Sequence, residues 1–230
     1  MRRDSDNPKR DIPWLVTRTA GDGASIAAEF LRKEQHGKEL INELNDRWSE
    51  VAEYLLFLNP ALTREAKTAL AQRYKAEYFG SKNISLETYE ELQRLFNEMS
   101  NKHVNRTVKL FSESSPHARV YGLVYDNPPP FGSGQIITQR EDIKFGTFHG
   151  DDIFLIFDTV IRKNHPLRED ENRIAYNLID MLTTFANDGV PLYAGRTLPK
   201  LSFSNNFEFD ILTKEGLNEN THSQRITLVE

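Results

Sequence analysis

The sequence predicts an α/β layer architecture whose sheet is incomplete. Two runs of β-forming residues, at 12–19 and 120–125, are the only clear strands in 230 residues. The stretch between them is patterned as helices, and a long amphipathic helix follows at 169–187. Strands separated by helical stretches point to helices layered on a sheet rather than to a bundle. Two strands are too few for an independent doubly wound sheet, so the chain reads as part of a larger domain.

The first run holds Ile12, Trp14, Leu15, Val16 and Thr17, and Gly21 and Gly23 allow a sharp turn around Asp22. The strand thus delivers Asp22 to a loop at its end. From 25 to 32 the pattern turns helical, with Ile26, Phe30 and Leu31 on one side and Ser25 as the N-cap. Ile41, Leu44, Trp48, Val51, Ala52 and Leu55 recur three or four apart over 38–58 and predict a helix followed by a second apolar cluster, stopped by Asn59 and Pro60. Thr63 caps the next helix, which ends at Gly80, and Ser85 opens another that continues past Leu92, Leu95, Phe96 and Met99 towards Phe111.

Val120, Tyr121, Val124 and Tyr125 lie between Pro116 and a run of three prolines at 128–130, which marks a buried strand. Residues 128–146 read as a loop, and 153–157 as a helix or buried turn. In 169–187, Ile174, Leu178, Met181, Leu182 and Phe185 fall at helical spacing, and Gly189 terminates the run. A weak alternation of Leu201, Phe203, Phe207, Phe209 and Ile211 suggests one short β segment. The expected organisation is a disordered polar N-terminus at 1–11, a folded domain at 12–212 and a flexible tail at 213–230.

A formal net charge of -5 gives no electrostatic reason to expect nucleic acid or an anionic membrane as partner. The absence of cysteine excludes disulfides, thiolate metal sites and a cysteine nucleophile within these residues. No apolar run is long enough to span a bilayer, and the first ten residues lack the apolar stretch of a secretory signal. Two N-x-S/T sequons, at Asn83 and Asn105, are candidate glycosylation sites should the chain meet the secretory pathway. No cofactor and no metal is expected.

His149 stands in a loop before the apolar turn at 153–157, followed by Gly150, Asp151 and Asp152. A base that takes a proton from a hydroxyl must be held at hydrogen-bonding reach, and a loop pinned between two elements can do that. A histidine beside glycine is also a common packing or surface residue, and an aspartate between glycines a common turn former. Gly150 is expected to keep the space beside the imidazole clear. Asp22 precedes His149, which is the chain order of the last two members of a Ser-acid-His triad in α/β-hydrolases.

The segment from Asp126, Asn127 and Pro128 through residues 145–157, followed by 177–187, resembles the C-terminal signature of type-B carboxylesterases, most closely the insect esterases and juvenile-hormone esterases. Pro13 and Trp14 through Gly23, and residues 40–48, are also similar to that group. The resemblance implies the C-terminal portion of an α/β-hydrolase fold, with mostly helical insertions on an incomplete sheet. It implies that His149 matches the general base, Asp22 the acid that orients it, and Asp152 an acidic position supporting the histidine loop. Asp152 is expected one helical turn from His149 and on the same face, and Phe148 is expected at a pocket. Aspartate stands where most relatives have glutamate; being one methylene shorter, it requires a closer backbone approach.

No G-x-S-x-G and no glycine run for an oxyanion hole occur in the sequence. The implied function is therefore the C-terminal part of a carboxylic ester hydrolase working through an acyl-enzyme, inactive without its serine. The implied partners are a small-molecule ester in the complete protein and the missing N-terminal portion of the domain. The implied location, by family, is extracellular. The alternative is a non-catalytic cholinesterase-like binding module, against which the retention of both Asp22 and His149 counts.

Overall fold

The computed structural model describes residues 12–159, 163–201 and 208–218. The expected disordered segment 1–11, the positions Phe203 and Phe207, and 219–230 lie outside the described residues. The chain forms two compact units. One takes residues 12–19, 102–127 and those from 150 onward; the other takes 20–101 and 128–149.

The first unit carries the sheet. Strands β1 (Trp14–Thr19), β2 (Val120–Tyr125), β3 (Leu192–Tyr193), β4 (Arg196–Thr197), β5 (Asp210–Thr213) and β6 (Gly216–Asn218) occur in chain order. The main sheet runs β1-β2-β5-β6, with β3 and β4 in a separate hairpin. β1 pairs β2 in parallel from Trp14 opposite Val120 to Thr19 opposite Tyr125. β5 joins the far side of β2 in parallel, and β6 returns antiparallel. All six residues of β2 are buried, as a parallel strand covered on both faces demands, and this is why it reads as a continuous apolar run.

Helix α8 (Glu169–Asp188) lays Ile174, Leu178 and Met181 against Tyr121, Leu123 and Leu212. Glu169, Asp170 and Glu171 occupy its first turn, where carboxylates suit the positive end of the helix dipole. Gly189, left-handed at φ 66°, ends it. The short helix α7 (Ile153–Ile156) contributes Leu155 to the same core.

The second unit is helical: α1 (Ala24–Phe30), α2 (Gln35–Asp46), α3 (Trp48–Leu55), α4 (Arg64–Phe79) and α6 (Ser133–Thr138) belong to it. Helix α5 (Tyr89–Ser114), preceded by a 3₁₀ turn at Leu86–Thr88, contributes its residues up to Asn101. The core gathers Ala27, Leu31, Leu44, Trp48, Leu92, Leu95 and Phe96. Buried polar groups stitch the helices together. The Trp48 indole donates to the Ala71 carbonyl at 2.7 Å. The Tyr78 hydroxyl donates to the Glu98 carboxylate, and burial first, then that hydrogen bond, pushes the Tyr78 phenol well up from its ordinary range. Asn45 accepts from the Ile84 N–H at 2.9 Å and donates to the Ile84 carbonyl at 2.8 Å.

Several expectations are corrected. The second apolar cluster expected after the first helix within 38–58 is a helix of its own, α3: Arg47 leaves helical geometry at φ -118°, and its guanidinium pairs with both Glu43 and Glu50. The break turns Trp48 to reach Ala71. The N-cap of α1 is Gly23 rather than Ser25, whose hydroxyl instead donates back to the Asp22 carbonyl at 2.8 Å. The loop 128–146 contains α6, too short at six residues for its periodicity to be visible. The tail expected from 213 gives up Thr213 and 216–218 to the β5–β6 hairpin, which owes its form to pairing with β2 more than to its own composition.

Removing the Asn45 amide strands a buried N–H and carbonyl at Ile84, which is 1% exposed. We expect Asn45→Ala to lower the unfolding free energy in urea by about 2–4 kcal/mol; a change below about 0.5 kcal/mol would show that the tie between Asn45 and Ile84 is not structural.

Candidate active site

The chain leaves β1 at Thr19 and three residues later reaches Asp22, in the second unit. The sharp turn there is stabilised by Ala24 N–H to Gly21 carbonyl at 2.9 Å and by the Ser25 hydroxyl on the Asp22 carbonyl. Coming from the other end of the sequence, Gly21 forms a parallel β-bridge with Phe148, its N–H donating to the Thr147 carbonyl at 2.9 Å. The residues beyond this bridge on either chain are Asp22 and His149. Their side chains meet: Asp22 Oδ1 lies 2.9 Å from His149 Nδ1.

The bridge answers the shortness of aspartate. Because the two backbones are already at hydrogen-bonding distance, a one-methylene arm spans what remains. A Cβ at Gly21 would come within 2.8 Å of the Thr147 carbonyl oxygen, so only glycine permits that approach without a shift. On the other side of Asp22, Gly23 donates its N–H to Asn97 Oδ1 at 2.7 Å, and a Cβ there would lie 2.1 Å from the Phe96 carbonyl carbon. Asp22 is thus gripped between the histidine loop and helix α5.

The two partners differ in exposure: the Asp22 side chain is 12% exposed, the His149 side chain 67%. An ion pair so open contributes about 0–1 kcal/mol to stability, so the backbone clamp, and not the pair, holds the geometry. Chemically, a carboxylate on Nδ1 selects the tautomer with the proton on Nδ1 and makes Nε2 the basic atom of the neutral ring.

Phe148, expected at a pocket, is a core side chain: it is 1% exposed and edge-on to Phe145, with ring centres 5.8 Å apart. It anchors the loop from beneath. Gly150 has a φ of +82°, a backbone conformation that favours glycine, and beyond its chain neighbours a Cβ there would lie near Ile153 Cδ1 at 3.7 Å. Asp152 is not one helical turn from His149. Residues 149–152 form turns, and Asp152 is the residue before α7, where its side chain makes no capping bond. Of the sequons, Asn83 is exposed beside the 3₁₀ turn. Asn105 lies inside α5 and is 4% exposed, which leaves no room for a glycan on the folded chain. Asn97 went unnoticed in the sequence, as 74 residues separate it from Gly23 and nothing local marks the contact. Among the described residues, no group of three or more histidines and acids is placed to hold a metal, and no helix is long and apolar enough to cross a membrane.

The model of the carboxylesterase family matches residues 2–228. This chain belongs to the carboxylesterase family. It is 41% identical over 176 residues to Esterase-5B of Drosophila miranda, covering 76% of this chain and 32% of that protein. It is 35% identical over 209 residues to Esterase-5C of Drosophila persimilis, covering 89% of this chain and 38% of that protein. The chain therefore spans about a third of the length of these curated relatives. Among solved structures, juvenile hormone esterase from Manduca sexta, with OTFP covalently attached, superposes with a TM-score of 0.63 at 15% identity, over 93% of this chain and 39% of that one. A PNB esterase superposes with a TM-score of 0.52 at 18% identity, over 92% of this chain and 36% of that one. These likenesses establish the fold as part of an α/β-hydrolase.

The pairing of Asp22 with His149 has a direct readout. In long-range ¹H–¹⁵N spectra of the 230-residue chain above pH 8, we expect His149 to be protonated at Nδ1, and Asp22→Ala to shift the ring towards the Nε2-protonated form. An unchanged tautomer in Asp22→Ala would show that the carboxylate does not orient the ring.

Proposed function

We propose that this chain supplies the acid and the general base of a Ser-acid-His carboxylic ester hydrolase, with the nucleophilic serine and oxyanion donors carried outside these 230 residues. The observation that carries this reading is the 2.9 Å contact between Asp22 Oδ1 and His149 Nδ1, made by the two residues whose order along the chain is that of the acid and histidine in this fold. Family membership supports ester hydrolysis as the reaction, and a small-molecule carboxylic ester as the substrate class.

In this mechanism His149 Nε2 takes the proton of the serine hydroxyl as its oxygen attacks the ester carbonyl. The Asp22 carboxylate stabilises the imidazolium that forms. The imidazolium then returns the proton to the departing alcohol oxygen, leaving an acyl-enzyme. A water molecule, deprotonated by the same Nε2, attacks the acyl carbon and releases the acid, while the proton goes back to serine. The exposure of the imidazole suits a base whose reaction partner approaches from beyond this chain. The parent protein is expected outside the cell, and Asn83 is the sequon available for a glycan there.

The test is a chimaera in which this chain replaces the matching C-terminal segment of Esterase-5B. We expect it to hydrolyse p-nitrophenyl acetate, His149→Ala to lower kcat by at least about 1,000-fold, and Asp22→Asn to lower it by about 10,000-fold. The 230-residue chain alone should show no turnover above buffer. Full activity in His149→Ala would overturn the assignment, and a folded chimaera with an intact pair but no turnover would favour a non-catalytic binding module.

A further inference from the structure

Asp22 can orient an imidazole only if its own backbone is fixed, and the histidine loop fixes only one side of it. On the other side the Gly23 N–H would be an unpaired donor at the start of α1, where the first amides of any helix lack partners within the helix. Asn97 takes up that donor at 2.7 Å, across 74 residues of chain. The contact is more than a hydrogen bond, because the absence of a Cβ at Gly23 lets its backbone seat directly on the backbone of Phe96 and Asn97.

The seat is itself braced. Glu98, the next residue on α5, accepts the hydroxyl of Tyr78 from α4, and the Arg94 guanidinium stacks 4.8 Å over the same Tyr78 ring. Phe96 is fully buried and stacks with Phe30 of α1, ring centres 6.2 Å apart. Residues 94–98 thus form a rigid platform on which the Asp22 turn stands.

We infer that Asn97 is a positioning residue for the Asp22–His149 pair, its amide oxygen fixing the turn that presents the carboxylate. An amide suits the place for an electrostatic reason. It offers the acceptor that Gly23 needs without adding a second negative charge beside Asp22, which would compete for the imidazolium. The inference rests on the hydrolase reading for its catalytic consequence, but its structural half stands on the ring tautomer alone.

The experiment compares Asn97→Leu, which keeps the shape and loses the acceptor, with Asn97→Asp, which keeps the acceptor oxygen. Each is measured two ways: His149 Nδ1 protonation by ¹⁵N NMR in the 230-residue chain, and kcat and KM of the Esterase-5B chimaera with p-nitrophenyl acetate. Expected for Asn97→Leu is a loss of the Nδ1-protonated form and a fall in kcat of about 10- to 100-fold, with KM within about threefold. Asn97→Asp should recover the Nδ1-protonated form, with kcat between that of Asn97→Leu and that of the unaltered chimaera, because the added charge competes for the imidazolium. If Asn97→Leu does not fold, Asn97→Ser, which also cannot reach Gly23, takes its place with the same readouts. A wild-type tautomer and kcat in the acceptor-less variant would overturn the inference. Should His149→Ala prove fully active, the hydrolase reading fails separately, and the tautomer still decides whether Asn97 positions the pair.

Discussion

The local geometry of the candidate site depends on how closely three consecutive residues approach their neighbours. Gly21 lies against the Thr147 carbonyl and Gly23 against the backbone of α5, so Asp22 has no freedom to move along either direction. Everything chemically interesting in the second unit follows from that confinement. The carboxylate is held within reach of one imidazole nitrogen, an arrangement that favours the proton on that nitrogen and leaves the lone pair on the opposite one. The side-chain pair itself, open to water on the histidine side, is too weak to impose such order.

The surroundings serve the same end by different means. Phe148 and Phe145 hold the histidine loop from the core side, so the residue next to the imidazole is anchored by burial while the imidazole itself faces outward. Arg140 donates to the Leu31 carbonyl at 2.8 Å and Lys33 donates its N–H to the Thr138 carbonyl at 2.9 Å, tying the end of α1 to the segment that leads into that loop. Asp22 and the loop bearing His149 are therefore linked twice, once at the bridge and once on the far side of α1.

What the sequence disclosed and what it concealed divide along the range of the interactions. The strands at 14–19 and 120–125, the helix ended by Gly80 and the helix ended by Gly189 are written in local composition and stop signals, and they emerge with nearly the expected bounds. The Asp22–His149 pair was reached through order along the chain and family resemblance, not through spacing. Helix α6 and strand β6 stayed hidden, and β5 showed only as a weak alternation ending at Ile211, because six residues are less than two turns of a helix and the β5–β6 hairpin forms by pairing. The split at Arg47 is likewise a tertiary effect: Trp48 turns to satisfy its indole N–H on Ala71. Asn97 could not have been picked out, since an asparagine in the middle of a helix advertises nothing until the glycine it serves is brought against it.

The interior position of Asn105 has a consequence for biosynthesis. Oligosaccharide transfer reads the tripeptide on an extended, accessible chain, whereas this asparagine ends up 4% exposed in the middle of a 26-residue helix. A sugar attached there would have to be accommodated where side chains pack, and α5 could not close around it. In a cell that routes the chain through a glycosylating compartment, helix formation at 89–114 and the transferase compete for the same residue, and the yield of native protein depends on the helix winning.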